Sequence, residues 1–195
     1  MELSQGHHSE QSTNTLSADL TAGAATIHNT GKRPLYLYVA ESGVPQNKAP
    51  AAADRGLAIR RHLLDQDGQP IDTDAIPVGT IVLVEIELQH AGDLDHLVID
   101  ELLPAGLEIE QPHLPAHSPL VAPTKAHQLP VASFDARDDR LLIFPGPFRR
   151  TGVYRYLTRA VTPGTYRLPP IQVEAMYDPS RGSRTAPSTL TVLPE

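Results

Sequence analysis

Four histidine and aspartate side chains that lie close together in the sequence are the first candidates for chemistry. His90, Asp93, Asp95 and His96 offer two imidazoles and two carboxylates, and an open zinc site needs three ligands of these types. An Ala-Gly pair at 91–92 separates them, which is typical of a turn and would put the ligands on different strands. A charged turn is the favoured interpretation, and we expect no metal here.

A second acidic segment, at 65–74, resembles a calcium-binding loop only in part. Asp65, Asp67, Asp72 and Asp74 supply carboxylates, but Pro70 interrupts the loop and no glutamate closes it. The pair at 67–68 is Asp-Gly, which is typical of a hairpin turn. A solvated turn is therefore the favoured interpretation.

No catalytic constellation is recognisable in the sequence. The chain has no cysteine, which excludes a thiol nucleophile, a thiolate metal site and a disulfide. The motif G-x-S-x-G, the P-loop and the dinucleotide motif G-x-G-x-x-G are missing. His113 and His117 have helical spacing, but adjacent prolines exclude the helix that would align them. We expect a protein that is not an enzyme and that uses no cofactor.

Composition limits the elements that could position any functional side chain. The chain has 195 residues and 19 prolines, which leaves little room for long helices and excludes a helical bundle or a coiled coil. A net charge of −7 argues against nucleic acid as a partner, because phosphate binding requires a basic surface. No apolar run reaches the ~18 residues of a membrane span. The N-terminal residues lack the apolar core of a signal peptide.

Short segments with period-two alternation follow one another from residue 57 onward. The clearest is 80–88, whose apolar face comprises Val82, Val84, Ile86 and Leu88 and whose polar face comprises Glu85 and Glu87. Alternation also places Arg61 on the apolar face of 57–64 and Tyr156 on that of 153–161. About ten such strands predict an all-β fold, an antiparallel β-sandwich. The proline-rich stretch 111–130 is expected to be a long exposed loop.

The first 55 residues are predicted to precede this sandwich. Residues 1–14 are polar and are expected to form a disordered tail. Residues 15–55 hold a predicted strand hairpin, made by 24–28 and the aromatic run 35–39, and then a linker from 42 to 55. The main domain is predicted to span 56–195. One alternative stays open, in which 35–39 supplies a strand to the same sandwich.

Arginines form the one basic concentration in this acidic chain. Arg149, Arg155 and Arg159 lie on or near one predicted strand, and Arg181 and Arg184 lie near the C-terminus. They could form a docking face for an acidic partner. They could also be solvated charges that prevent aggregation at strand edges, which is the simpler interpretation.

The last third of the chain holds the best candidate for a contact surface. In 171–177 the alternation puts Tyr177 on the core side, at its edge, and Met176 on the outer side. Asp178 and the proline after it are expected to turn the chain into a loop over 178–184 that contains Arg181 and Arg184. Met176 and this loop are the predicted contact, whereas a structural role is favoured for Tyr177.

Several segments resemble the C-terminal macroglobulin-like domain of bacterial alpha-2-macroglobulins, in the same order as in that domain. They are PGTYRLPP at 163–170, VEAMYDP at 173–179, GLAIRR at 56–61, DELLPAGLEI at 100–109, the hairpin 134–144 and the strand 154–164. The resemblance covers 56–195 and is weaker over 15–50. It implies a macroglobulin-like, fibronectin type III-like sandwich.

The resemblance also implies a function. Members of the family are exported, periplasmic or cell-envelope protease traps, whose thioester domain links covalently to attacking proteases. This chain lacks the cysteine of a thioester, so the resemblance implies the non-catalytic domain that packs on the thioester domain and restrains it. Its implied partners are the thioester domain and neighbouring domains of the parent chain, and trapped proteases through the parent. The alternative is a free-standing sandwich module that binds a cell-envelope partner or a carbohydrate.

Overall fold

The N-terminal residues form a small β-sheet of their own. The computed structural model describes residues 2–5, 8–11, 26–38, 49–90, 96–114, 118–121 and 128–194. The chain divides into two units, Met1–Gln46 and Asn47–Glu195. In the first unit, β1 (Glu2–Gln5), β2 (His8–Gln11) and β3 (Thr26–His28) form an antiparallel sheet in the order β2-β1-β3. Strands β1 and β2 therefore pair within the segment for which the sequence predicts a disordered tail.

The aromatic run at 35–39 does not form the predicted strand. Residues 34–38 carry no strand, Tyr36 and Tyr38 are almost fully exposed, and Val39 lies outside the described residues. A strand requires a neighbour for its backbone hydrogen bonds. In the described ranges no strand lies beside 34–38, because β3 pairs with β1 instead.

The described residues of the second unit form three sheets. Its strands are β4 (Ala53–Arg55), β5 (Leu57–Leu64), β6 (Ile76–Pro77), β7 (Ile81–His90), β8 (Leu97–Leu102), β9 (Leu107–Gln111), β10 (Val131–Ala136), β11 (Arg140–Pro145), β12 (Thr151–Ala160), β13 (Gly164–Leu168), β14 (Ile171–Ala175), β15 (Asp178–Arg184) and β16 (Ser188–Leu193). The sheet orders are β10-β11-β8-β14-β15-β4, β5-β7-β12-β9 and β13-β16-β6. Every pairing between these named strands is antiparallel except that of β16 with β6. The predicted all-β antiparallel fold is confirmed.

Alternating side chains of these sheets form the main core. Val82, Val84, Ile86 and Leu88 of β7 are buried, as the alternation predicts. They share a cluster with Ile99 of β8 and with apolar residues of β5, β11, β12, β14 and β16. The six-stranded and four-stranded sheets therefore pack on each other with their apolar faces inward.

The outer face of the four-stranded sheet carries a second, smaller apolar cluster. Leu83 and Leu157 on this face are buried together with Leu114, and Leu120 packs against them. Leu114 and Leu120 belong to the proline-rich stretch that the sequence predicts to be an exposed loop, and Leu120 lies in a 3₁₀ turn at Pro119–Val121. That prediction is wrong for these residues, because the loop covers an apolar patch that would otherwise face water.

Candidate functional site

The β14–β15 hairpin presents the predicted contact residues. Ala175 is paired with Asp178, so Met176 and Tyr177 form a two-residue turn between the two strands. The backbone N–H of Met176 donates to the carbonyl oxygen of His96 at 2.9 Å, which ties the turn to the start of β8. The segment after Asp178 is strand β15 rather than the predicted loop, because it pairs with β14 on one side and with β4 on the other.

Both residues of the turn are exposed. Met176 is 51% exposed, as predicted, but Tyr177 is 79% exposed, so its predicted position at the core edge is wrong. The alternation that buries Ile171, Val173 and Ala175 ends with β14, one residue before Met176. The Tyr177 ring instead rests edge-on against the His96 ring, with the ring centroids 5.1 Å apart. Met176 and Tyr177 thus form an exposed apolar turn at the end of the β14–β15 hairpin, called the tip below.

The charged residues of β15 are partly committed to local contacts. Asp178 accepts hydrogen bonds from the backbone and the hydroxyl of Ser180, and these bonds lower the pKa of its carboxyl. Arg181 Nε lies 3.5 Å from the Asp178 carboxylate. Arg184 Nε donates to the carbonyl oxygen of Ala51 at 2.8 Å. Asp178 and Arg181 therefore accompany the tip, whereas Arg184 is directed toward the segment before β4.

The arginines of β12 are paired within the sheet. Arg155 is bound to Glu85 with a 2.6 Å N–O distance, donates to the Leu120 carbonyl oxygen, and has a side chain only 14% exposed. Arg159 is bound to Glu110 at 2.7 Å, and this pairing raises the pKa of its guanidinium. Arg149 lies before β12 and is exposed. Carboxylates of the same sheet thus neutralise the charges of Arg155 and Arg159, so this face attracts acidic partners less strongly.

A buried ion pair crosses the interior between the two large sheets. Arg61 of β5 donates to both carboxylate oxygens of Glu101 of β8, at 2.9 and 3.1 Å. The Tyr156 hydroxyl of β12 donates to Glu101 at 3.0 Å, and the second Arg61 amino group donates to the Pro169 carbonyl oxygen at 2.7 Å. The side chains of Arg61 and Glu101 are 6% and 2% exposed. The Glu101 carboxylate thus accepts three hydrogen bonds from protein side chains.

Opposing effects set the protonation of this network. Burial raises the pKa of the Glu101 carboxyl, and the charge and hydrogen bonds of Arg61 act against that rise. Burial and the adjacent carboxylate raise the pKa of the Tyr156 hydroxyl well above its ordinary value, so it remains a donor. The sequence contained a signal for this pair, since Arg61 and Glu101 each occupy an inward position of an alternating strand. Of the two, Arg61 is the one whose inward position is predicted above.

Among the described residues, the potential metal ligands are not gathered into a site. His90 Nε2 lies 3.2 Å from the Phe148 carbonyl oxygen, His96 contacts Tyr177, and Asp93 and Asp95 lie outside the described residues. Asp65 caps its own turn by accepting from the backbone N–H groups at 67 and 69. Within the described ranges, no group of three or more histidine and carboxylate side chains could hold a metal ion. His113 stacks on Phe134, and His117 is not described.

These features define a β-sandwich module with a buried ion pair and an exposed apolar hairpin. A family model described as the bacterial alpha-2-macroglobulin MG10 domain matches residues 56–180. The alpha-2-macroglobulin of Escherichia coli K12 is 34% identical over 86% of this chain and 11% of its own length. That of Xylella fastidiosa 9a5c is 34% identical over 84% of this chain and 10% of its own length.

Solved structures give the same result. Salmonella alpha-2-macroglobulin reacted with methylamine matches with a TM-score of 0.66 and 33% identity, over 76% of this chain and 10% of that one. An Escherichia coli fragment from domain MG7 to the C-terminus matches with a TM-score of 0.66 and 31% identity, over 76% of this chain and 25% of the fragment. The chain belongs to the bacterial alpha-2-macroglobulin MG10 family, as the sequence resemblance predicts. It spans about a tenth of the length of the curated relatives it matches.

No helix in the described part of the chain is long and apolar enough to cross a membrane.

Proposed function

We propose that this chain is a non-catalytic scaffold segment of a bacterial alpha-2-macroglobulin-type protease trap, and that its sandwich packs on the thioester domain of the parent protein and restrains it. The observation that carries the proposal is the tip of the β14–β15 hairpin, where Met176 and Tyr177 are the most exposed large apolar residues described in the second unit. The parent would be exported to the periplasm or cell envelope.

The chemistry of the tip suits a docking contact. An exposed tyrosine and methionine offer apolar area with one polar hydroxyl, a combination enriched at protein interfaces. The tip is also held in place, because the Met176 N–H is bonded to the His96 carbonyl oxygen and the Tyr177 ring rests on the His96 ring. A contact group ordered before binding loses less conformational entropy on docking.

The alternative function, a free-standing module that binds a carbohydrate or an envelope partner, has less support. Sugar-binding surfaces present exposed aromatic rings. In the second unit, Tyr154 and Tyr156 are buried in the core and Tyr166 is partly buried against it, which leaves Tyr177 as the one strongly exposed tyrosine described there.

The proposal is tested in the parent protein with an amine-uptake assay. A variant with Met176→Ser and Tyr177→Ser should react with methylamine at least tenfold faster than the wild type before any protease cleavage, because the restraint on the thioester domain is weakened. The matched control is Phe134→Ser, which removes an exposed aromatic side chain from β10 of the same sheet. Equal uptake by wild type and double variant would refute the docking role of the tip.

A further inference from the structure

Strand β4, which precedes the sandwich strands in the chain, pairs with β15. Strand β15 belongs to the β14–β15 hairpin, which is called the docking hairpin below. Strand β4 lies beside β15, with Ala53, Asp54 and Arg55 opposite Arg184, Ser183 and Gly182. Gly56 follows at a φ of 68°, a conformation that suits glycine, and the chain then continues as β5 in the other large sheet. Strand β15 is thus enclosed between β14 and the incoming chain.

One carboxylate connects β4 to β15 and, through the bonded hydroxyl, to β5. Asp54 accepts a 2.6 Å hydrogen bond from the hydroxyl of Ser183, which is itself buried. The same hydroxyl oxygen accepts from the backbone N–H of Ile59 at 3.0 Å. Arg60 donates to both oxygens of Asp54, at 3.1 and 2.6 Å, from the exposed side. These bonds lower the pKa of Asp54 to about 2.

Strand β15 depends on this support because its pairing with β14 is incomplete. The register between the two strands shifts after the Glu174–Gly182 pair, and the next pair is Ala175 with Asp178. Residues 179–181 therefore form a bulge without ladder partners on β14. In the described ladder, the part of β15 between the tip and Gly182 pairs with β14 only at its two ends, and the inner end is where β4 pairs.

We propose that Asp54 is a positioning residue for the docking hairpin: through Ser183 it fixes β15 between β14 and the incoming segment 51–55, so that release of this segment loosens 176–184. We call the hydrogen bond between Asp54 and Ser183, together with the β4–β15 pairing, the clamp. The role of the hairpin in docking rests on the function proposed above, but the effect of the clamp on 176–184 does not depend on it. A change in the preceding part of the parent would then reach the tip through the chain that links them.

Amide hydrogen exchange on the 195-residue chain tests the clamp without any partner. In Asp54→Ala, amides of 176–184 should exchange at least tenfold faster, while those of β7 and of the β10–β11 hairpin change less than threefold. The matched variant Arg60→Ala removes the exposed ion pair but leaves the Ser183 hydrogen bond, so it should accelerate exchange of 176–184 less than threefold. Asp54→Asn, which retains an oxygen acceptor for Ser183, should restore most of the protection.

Three exchange results would overturn the inference. They are unchanged exchange of 176–184 in Asp54→Ala, uniform acceleration over all strands, and an equal effect of Arg60→Ala. A uniform effect would mean that Asp54 stabilises the whole unit rather than positioning the hairpin.

The parent protein separates this inference from the docking proposal. If the Met176 and Tyr177 double variant takes up methylamine faster but Asp54→Ala does not, the clamp does not govern docking and the inference fails. If neither variant takes it up faster, the docking proposal fails, and the exchange measurements on the chain still decide the clamp. Faster uptake by both variants supports both.

Discussion

Replacing Arg61 by methionine should destabilise the second unit by about 3–5 kcal/mol, the usual cost of removing one partner from a buried ion pair. The substitution leaves the Glu101 carboxylate 2% exposed with the Tyr156 hydroxyl as its remaining described donor. The Pro169 carbonyl oxygen also loses the donor that Arg61 supplies at 2.7 Å. Methionine fills a similar length, so the loss reflects charge and hydrogen bonding more than volume.

The sign of the pH dependence gives a second readout on this variant. Burial raises the pKa of Glu101, and without Arg61 nothing described opposes that rise with a full charge. A carboxyl whose folded pKa lies above its unfolded value binds more protons in the folded state, so the free energy of unfolding decreases as pH rises above about 4.5. The Arg61→Met variant should therefore be closer to wild type at pH 4.5 than at pH 7.

Urea unfolding followed by circular dichroism measures these changes. The triple variant Arg61→Met, Glu101→Leu and Tyr156→Phe leaves no buried charge, so it should recover to within about 2 kcal/mol of wild type. The control is Arg137→Met, which breaks an exposed 2.7 Å pair with Asp135 and should cost less than about 1 kcal/mol. A loss below about 1 kcal/mol for Arg61→Met, or a triple variant less stable than the single one, would refute this account.

Three further outcomes are expected. Val84→Ala should lower the free energy of unfolding by about 1–4 kcal/mol, because it truncates a buried side chain in β7. Glu87→Ala should lower it by less than about 0.5 kcal/mol. Urea unfolding measures both, and the reverse order would mean that the inward and outward faces of β7 are exchanged. A chain starting at residue 47 should retain a cooperative melt, whereas one starting at residue 56 loses β4 and should melt at a lower temperature. Because the pKa of Asp54 is lowered to about 2, its contribution to stability should be present above pH 4 and lost between pH 4 and 2, and acid titration of Asp54→Ala should lack this component.

The sequence predicted the inner faces of strands better than their ends. Period-two alternation located Val84 and Ile86 in the core and Arg61 on an inward position, because the side chains of a strand alternate whatever it pairs with. Continuing the same alternation places Tyr177 at the core edge, but the strand ends at Ala175. The end depends on the turn and on the His96 carbonyl oxygen that receives the Met176 N–H, and this contact joins distant parts of the chain.

Elements that have at least one partner distant in sequence were the least predictable. Strand β15 is rich in serine, glycine and arginine, a composition typical of a loop, yet it forms a strand because β14 and β4 supply backbone partners on both sides. Strand β4 contains no large apolar residue, so its sequence predicts a linker. Similarly, the inward positions of Arg61 and Glu101 were visible in the sequence, but their 2.9 Å contact depends on how the two sheets stack.

The β8–β14 ladder links the buried Arg61–Glu101 ion pair to the exposed β14–β15 hairpin. Glu101 lies opposite Ile171 where β14 begins, and Leu97 lies opposite Ala175 where β14 ends, immediately before the tip. At about 3.4 Å per residue, these two positions are ~14 Å apart along β14. Arg61 holds both Glu101 and the Pro169 carbonyl oxygen, so it fixes β8 and the approach to β14 to the opposite sheet. The tip therefore projects from a ladder that is anchored to the opposite sheet, and a fixed direction of this kind is what the scaffold role proposed above requires.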